Sequence, residues 1–267
     1  MSIPKKVADR LISRLKSFQT VLEAQKARDV SEADTVTIVK DVLSDVFGYD
    51  KYSELTSEHA IRGTYCDLAV RIDGRLAFLC EVKAIGLELK DAHVKQAIDY
   101  AANQGCEWVV LTNGIEWILY HVLFRKPIDK QDVARINLLS ANAKSERDSE
   151  LLYLLTREGF AKSAVTEFRD KKNATSRYML AAILCTSEPI ISAIRREVRR
   201  TSDLIVEPEV IVQILRDQVI KRDALEGPEA ESASKRLQKA SQKVLRKVGS
   251  GDEVSSDESK TSEPTEA

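Results

Sequence analysis

Residues 64–83 read TYCDLAVRIDGRLAFLCEVK, and their alternation decides the fold around them. Side chains in a strand point to opposite faces in turn, so parity assigns each residue to a face. The even positions Cys66, Leu68, Val70, Ile72, Leu76, Phe78, Cys80 and Val82 are all apolar. The odd positions hold Asp67, Arg71, Glu81 and Lys83, together with Ala69, Ala77 and Leu79. Two strands are predicted, about Tyr65–Ile72 and Leu76–Lys83, meeting at Asp73-Gly74. Cross-strand neighbours share a face, so even must pair with even. A two-residue turn would pair Ile72 with Arg75 and mix the faces. The pattern therefore predicts an odd-length loop with Gly74 left-handed, or a compensating bulge. In that register Asp67, Glu81 and Lys83 project together from one face. Cys66 and Cys80 are expected on the opposite face as buried hydrophobes.

Two adjacent carboxylates repel unless something cationic lies between them. A hard divalent cation, Mg²⁺ first, is satisfied by carboxylate oxygens together with water and substrate phosphate. Lys83 beside it would position a water or stabilise developing negative charge. The same three residues also make a salt-bridge ladder on a half-solvated sheet, and D…ExK alone is too short to decide between the two readings.

Outward from this hairpin the chain reads as an α/β layer. An amphipathic helix is expected from about Lys5 to Arg28, with Leu11, Ile12, Leu15, Phe18 and Leu22 on one stripe. A second runs from Glu32 to about Phe47, with Ser31 as N-cap, Asp34 at the capping-box position and Gly48 as its stop. Glu32 shares a stripe with Val36, Val39, Leu43 and Val46, so its acid is expected to point inward. A helix from about Leu89 to Asn103 precedes strands Trp108–Thr112 and Glu116–Val122, whose Asn113-Gly114 link signals a hairpin. Trp108 and Trp117 read as core packing. Beyond about Lys130 the pattern turns helical, near Arg147–Glu158, Ala161–Arg169, Ser176–Leu184, Ile190–Thr201 and Pro208–Arg222, with breaks at Gly159 and Pro189. The expected division is 1–130 as the α/β domain, 131–225 as a helical region and 226–267 as a charged, disordered tail containing a helix at Glu229–Val248.

Asp67, then thirteen residues, then Glu81-Val82-Lys83 matches the PD-(D/E)xK nuclease pattern, with Tyr65-Cys66 where the pattern has its proline. Gln96 and Tyr100 match a QxxxY motif on the following helix, and EWVVLTNGIEW supplies the hairpin expected next. In this order, over about Ser31 to Val122, the chain resembles the N-terminal nuclease domain of the type I restriction enzyme R subunit. The resemblance implies a restriction-endonuclease-like mixed sheet flanked by helices. It makes Asp67 and Glu81 metal ligands, the Val82 carbonyl a further ligand and Lys83 the catalytic lysine. Gln96 and Tyr100 would support catalysis and DNA contact, and Glu32 would stand in for the family's helical glutamate near the metal. Glu58 is a weaker candidate. No GxxxxGK[ST] loop occurs in the sequence, so a motor or specificity protein, where one is needed, is expected to be a separate partner.

Composition bounds what else is expected. Hydrophobic residues make up 43% and charged residues 31%, the balance of an ordinary water-soluble chain. The formal net charge of −1 hides an acidic end, and without residues 251–267 the chain holds 40 bases against 36 acids. A mildly basic body is compatible with nucleic acid. Cys66, Cys80, Cys106 and Cys185 form no CxxC pair, and His59, His93 and His121 have no ligand-like spacing, which speaks against zinc. The expected setting is the cytoplasm, with no membrane segment and a possible homo-oligomer. Arg195, Arg196, Arg199 and Arg200 are expected to form a solvated basic face. Two functions follow: an Mg²⁺-dependent deoxyribonuclease, or a module of the same fold whose chemistry has lapsed and which binds nucleic acid or a partner protein.

Overall fold

The structure, a computed structural model, describes residues 2–61 and 64–249. It divides into two compact units, 1–170 and 171–267. The first is built on a six-stranded sheet in the order β1 (Leu55–Ile61), β2 (Thr64–Ile72), β3 (Arg75–Val82), β4 (Trp108–Thr112), β5 (Glu116–Leu123), β6 (Asp129–Asn137). All neighbours are antiparallel except β3 and β4, which are parallel and joined through helix α3 (Asp91–Gln104). A parallel step requires such a crossover, whereas the other links are short. The fold is α/β with a mixed sheet, as the alternation of strands and helices implied, and the chain continues as a helical C-terminal region.

Both faces of the sheet are covered. On one, α1 (Lys5–Ala27), α2 (Glu32–Asp41) and a π-helical turn (Val42–Val46) pack with Leu68, Val70, Phe78, Cys80 and Val82. On the other, Val94, Ala97, Ile98, Tyr100 and Ala101 of α3 cover Ala69, Leu79, Val109 and Leu111. The α1 stripe holds at Leu11, Leu15 and Leu22, with Phe18 partly buried, but Ile12 lies outside it at 38% exposed. Ser31 caps α2 by accepting the Asp34 N–H, and Gly48 ends the π turn with φ 85°. Trp117 is core, donating its Nε1–H to the Gly114 carbonyl at 2.9 Å.

The central hairpin resolves the parity conflict through its second alternative. Asp73 (φ 50°) and Gly74 (φ 78°) make a two-residue turn that does pair Ile72 with Arg75. Two left-handed residues in succession match the twist of the flanking strands, which favours this turn over a longer loop. The register then shifts: Arg71 faces Leu76 while Val70 faces Phe78, so Ala77 is an extra residue on β3. The bulge exchanges faces locally. Leu76 packs into the α3-side core and Ala77 against the other, the reverse of strict alternation. From Phe78 onward even meets even, through Leu68–Cys80. Cys66 is also a correction. It is buried as expected but in the α3-side core, with Sγ 3.3 Å from the Cys80 carbonyl oxygen, because β2 and β3 stop pairing at Leu68.

Beyond β6 come α4 (Glu146–Leu154), α5 (Arg157–Ala161) and α6 (Ala164–Ala174), then α7 (Arg177–Thr186), α8 (Glu188–Ser202), α9 (Pro208–Ile214) and α10 (Pro228–Gly249). Pro189 opens α8 near its first position rather than breaking it, where its missing N–H is no loss. Gly159 lies inside α5, where a Cβ would stand 2.0 Å from the Tyr153 carbonyl oxygen. The strands β1 and β6 are additions to the four that periodicity marked. The expected disorder at the chain's end concerns residues 250–267, outside those described. Among the described residues no single helix is long and apolar enough to cross a membrane.

Candidate active site

Lys83 follows the last residue of β3, and its backbone is anchored there. Its N–H donates to the Thr112 carbonyl of β4 at 2.8 Å. The loop after it is tied down by Asn113, whose Nδ2 donates to the Leu87 carbonyl at 2.9 Å. Asn113 was legible only as a turn former; its role in bracing the loop behind the lysine was not. The Lys83 Nζ lies 2.8 Å from Glu81 Oε1 and 3.4 Å from Glu32 Oε1. Opposite, the Asp67 carboxylate accepts the Val82 N–H at 2.7 Å, just past the last β2–β3 pair. The three residues that parity grouped are therefore together: Asp67 on β2, Glu81 and Lys83 at the end of β3.

The electrostatics follow from half-burial. Glu81 has its carboxyl pushed above the usual range, first by loss of solvent. The Lys83 hydrogen bond opposes that shift, and the charges of Asp67 and Glu32 add to it. Burial pulls Lys83 down, but its bond to Glu81 and the charges of Glu81, Glu32 and Asp67 outweigh burial and raise it. Lys83 is thus an ammonium gathered into a group of carboxylates. Cys66 beside them is no nucleophile, since burial and the Glu81 charge push its thiol up to about 12.

Three expectations change in detail. Glu32 does not point into the apolar layer; its side chain is 48% exposed, and Thr35 takes the buried place on α2. From the first turn of α2 Glu32 reaches the Lys83 ammonium across solvent-accessible space. Gln96 and Tyr100 do share a side of α3, lining one concavity with Ala92, Lys95, Asp99 and Asn103. They differ in depth, however: Tyr100 is 3% exposed and Gln96 is open to solvent. At Val82 the backbone contact seen is through its N–H, to Asp67. The Glu58 side chain lies outside the described residues. Arg196, Arg199 and Arg200 are exposed on α8, as a solvated face requires.

Asp67 and Glu81 are the oxygen donors that a divalent cation would meet here. Among the described residues no three His, Cys, Asp or Glu side chains are gathered as a ready-made metal cage. Mg²⁺ does not demand one; it is commonly held by one or two carboxylates, with waters and substrate phosphate completing its shell. Asp67 and Glu81 fit that requirement. A Glu81 carboxyl destabilised by a neighbouring Asp67 charge is also what a cation between them would relieve.

No curated protein and no solved structure is matched by this chain. Residues 38–136 do match a family, described as Type I restriction enzyme R protein N terminus (HSDR_N). The match begins within α2 and ends in β6, so it takes in the whole sheet, α3 and the Asp67–Glu81–Lys83 cluster. Over those residues the chain is similar to the N-terminal part of type I restriction enzyme R proteins.

Proposed function

We propose that this chain is an Mg²⁺-dependent nuclease that hydrolyses phosphodiester bonds in DNA, working in the cytoplasm in restriction of foreign DNA. The observation that carries the reading is the meeting of Asp67, Glu81 and Lys83 at the open end of β3, inside the segment that matches a restriction-enzyme family. Asp67 and Glu81 would hold the cation, with the Val82 carbonyl and Glu32 at its margin. When bound, Mg²⁺ neutralises charge on the phosphoryl oxygens and polarises the phosphorus for attack. Lys83 supplies a fixed positive charge and a hydrogen-bond donor, which can aim an attacking water or stabilise the charge that grows on the phosphoryl group. The Gln96 amide, open to solvent one turn before Tyr100, faces where the nucleic acid would lie. A separate motor or specificity protein would deliver the DNA.

Purified protein incubated with linear and circular DNA and with RNA, in Mg²⁺ or in EDTA, tests this. Cleavage of DNA is expected in Mg²⁺ alone. Asp67→Ala and Lys83→Ala are each expected to lower the rate by roughly a hundredfold or more. Cleavage that survives both substitutions would remove the site assignment. DNA binding without cleavage in any condition would favour a lapsed binding module.

A further inference from the structure

Ala69 and Arg71 occupy alternate positions of β2 on the face that α3 covers only in part, and Asp67 precedes them just past the last β2–β3 pair. Ala69 is fully buried against α3, while Asp67 and Arg71 at either end of it are half-buried. Four strand residues span about 13 Å. Helix α3 starts at the Asp67 end, because it leaves the end of β3 and runs back along the sheet. At about 1.5 Å per residue, Tyr100 and Asn103 reach the Arg71 end. The pairing is visible electrically, since the Arg71 charge acts on the Tyr100 phenol, whose pKa burial raises.

Five arginines of this unit are neutralised by a carboxylate. Arg10 is paired with Glu158, Arg157 with Glu54 and Asp73, Arg135 with Glu116, Arg125 with Asp129 and Arg169 with Asp170. The Arg71 guanidinium has no ion pair or hydrogen bond among the described residues. Arg14, Arg28, Arg75 and Arg147 also lack a carboxylate partner but are exposed, so among the described arginines of this unit Arg71 is the half-buried one without such a partner. A guanidinium held on a half-buried residue with no carboxylate of its own leaves its planar fork of donors for an external anion.

We propose that Arg71 binds a backbone phosphate of the nucleic-acid strand entering the Asp67–Glu81–Lys83 site, holding the strand along β2. The proposal rests on the nuclease reading above and adds a positioning residue to it. The guanidinium fork matches two phosphate oxygens at once. Its separation from Asp67 sets it a few nucleotides from the bond that is cut. A phosphate contact of this kind fixes register and carries no base preference.

The test is fluorescence anisotropy of a labelled DNA duplex with the full chain in EDTA, where no cleavage interferes, over roughly 50 to 200 mM KCl. Arg71→Ala is expected to weaken binding about fivefold or more at the lower salt and to reduce the slope of log affinity against log salt by about one. Arg71→Lys should keep most of that slope, and Arg71→Gln, which retains bulk without charge, should lose it. Should the alanine variant melt early, the glutamine and lysine pair decides on its own. Unchanged affinity and slope in Arg71→Ala and Arg71→Gln, with wild type binding normally, would overturn the assignment of Arg71 and leave the nuclease reading standing. Wild type that binds with the expected slope but cleaves nothing in Mg²⁺ would sink the nuclease reading and spare the phosphate contact. Wild type that does not bind DNA would end the phosphate contact, while the cleavage assay in Mg²⁺ decides the nuclease reading by itself.

Discussion

At the scale of single residues the site is held under electrostatic tension, and the direction of that tension can be measured. The Glu81 carboxyl stands above its ordinary range chiefly because it is half-buried. The folded chain therefore holds that proton more tightly than the unfolded chain does. Stability falls as pH rises through the folded pKa, and the contribution is fully present only below the unfolded value. At neutral pH the ionised group is a net cost, of the kind active sites often carry. Urea unfolding at about pH 8 should find Glu81→Gln more stable than wild type, with the difference shrinking as pH falls toward about 4. A less stable variant at pH 8 would mean that the 2.8 Å contact with Lys83 outweighs desolvation. The identities of these residues were legible from parity. Their depth was not: Glu32 is exposed where its stripe predicted an inward acid, and Gln96 is exposed one turn before the buried Tyr100. Periodicity reports direction around an axis and says nothing of how far the neighbouring layer extends.

Elements show the same division. The hairpin's bulge was one of two alternatives left by the sequence, and the turn geometry chose between them, since Asp73 and Gly74 both adopt left-handed backbone. Strands β1 and β6 were missed for a physical reason. They are the edges of the sheet, each with one neighbour, and β6 buries only Val133 and Ile136 of its nine residues. Edge strands are allowed polar residues that erase the alternation. Another link invisible in the sequence joins α1 to α5. Arg10 donates to both oxygens of Glu158 at 2.9 and 2.7 Å, and to the carbonyls of Val46 and Phe47 at the end of the π turn. Burial alone would push the Glu158 carboxyl up, but the Arg10 bond outweighs it and holds the group low. A depressed acid stabilises above its unfolded pKa, and that stability is lost as pH falls through the folded value. Arg10→Ala should thus cost on the order of 2 kcal/mol at pH 7. Denaturant titrations should show the deficit narrowing below about pH 4; a deficit constant with pH would show that the loss is packing alone.

For the molecule as a whole the two compact units differ in what they bury. The core of residues 1–170 contains Trp117, Tyr49, Phe47, Phe78 and several leucines. In residues 171–249 the buried side chains are mostly small, Ala181, Ala182, Cys185, Ala230 and Ala233, with Ile191 and Ile211 the largest among the described residues. Small side chains bury little area, so this unit gains less from folding. Hydrogen exchange followed by mass spectrometry should find α7 to α10 opening at lower free energy than β3 to β5. Equal protection in both would contradict the area argument.

The sequence by itself grouped Asp67, Glu81 and Lys83 at one end of a hairpin, because alternation and the demand for an apolar layer favour that register, and the grouping survives the exchange of faces at Leu76 and Ala77. It also determined the resemblance to restriction nucleases, which residues 38–136 bear out. Only the tertiary structure decided how that grouping is completed. It placed Glu32 on the lysine from the first turn of α2, anchored Lys83 through Thr112 and Asn113, and left Arg71 near Tyr100 without a carboxylate of its own. These contacts join residues far apart in the chain. They depend on where layers end and which edges meet, and no local pattern of residues encodes that.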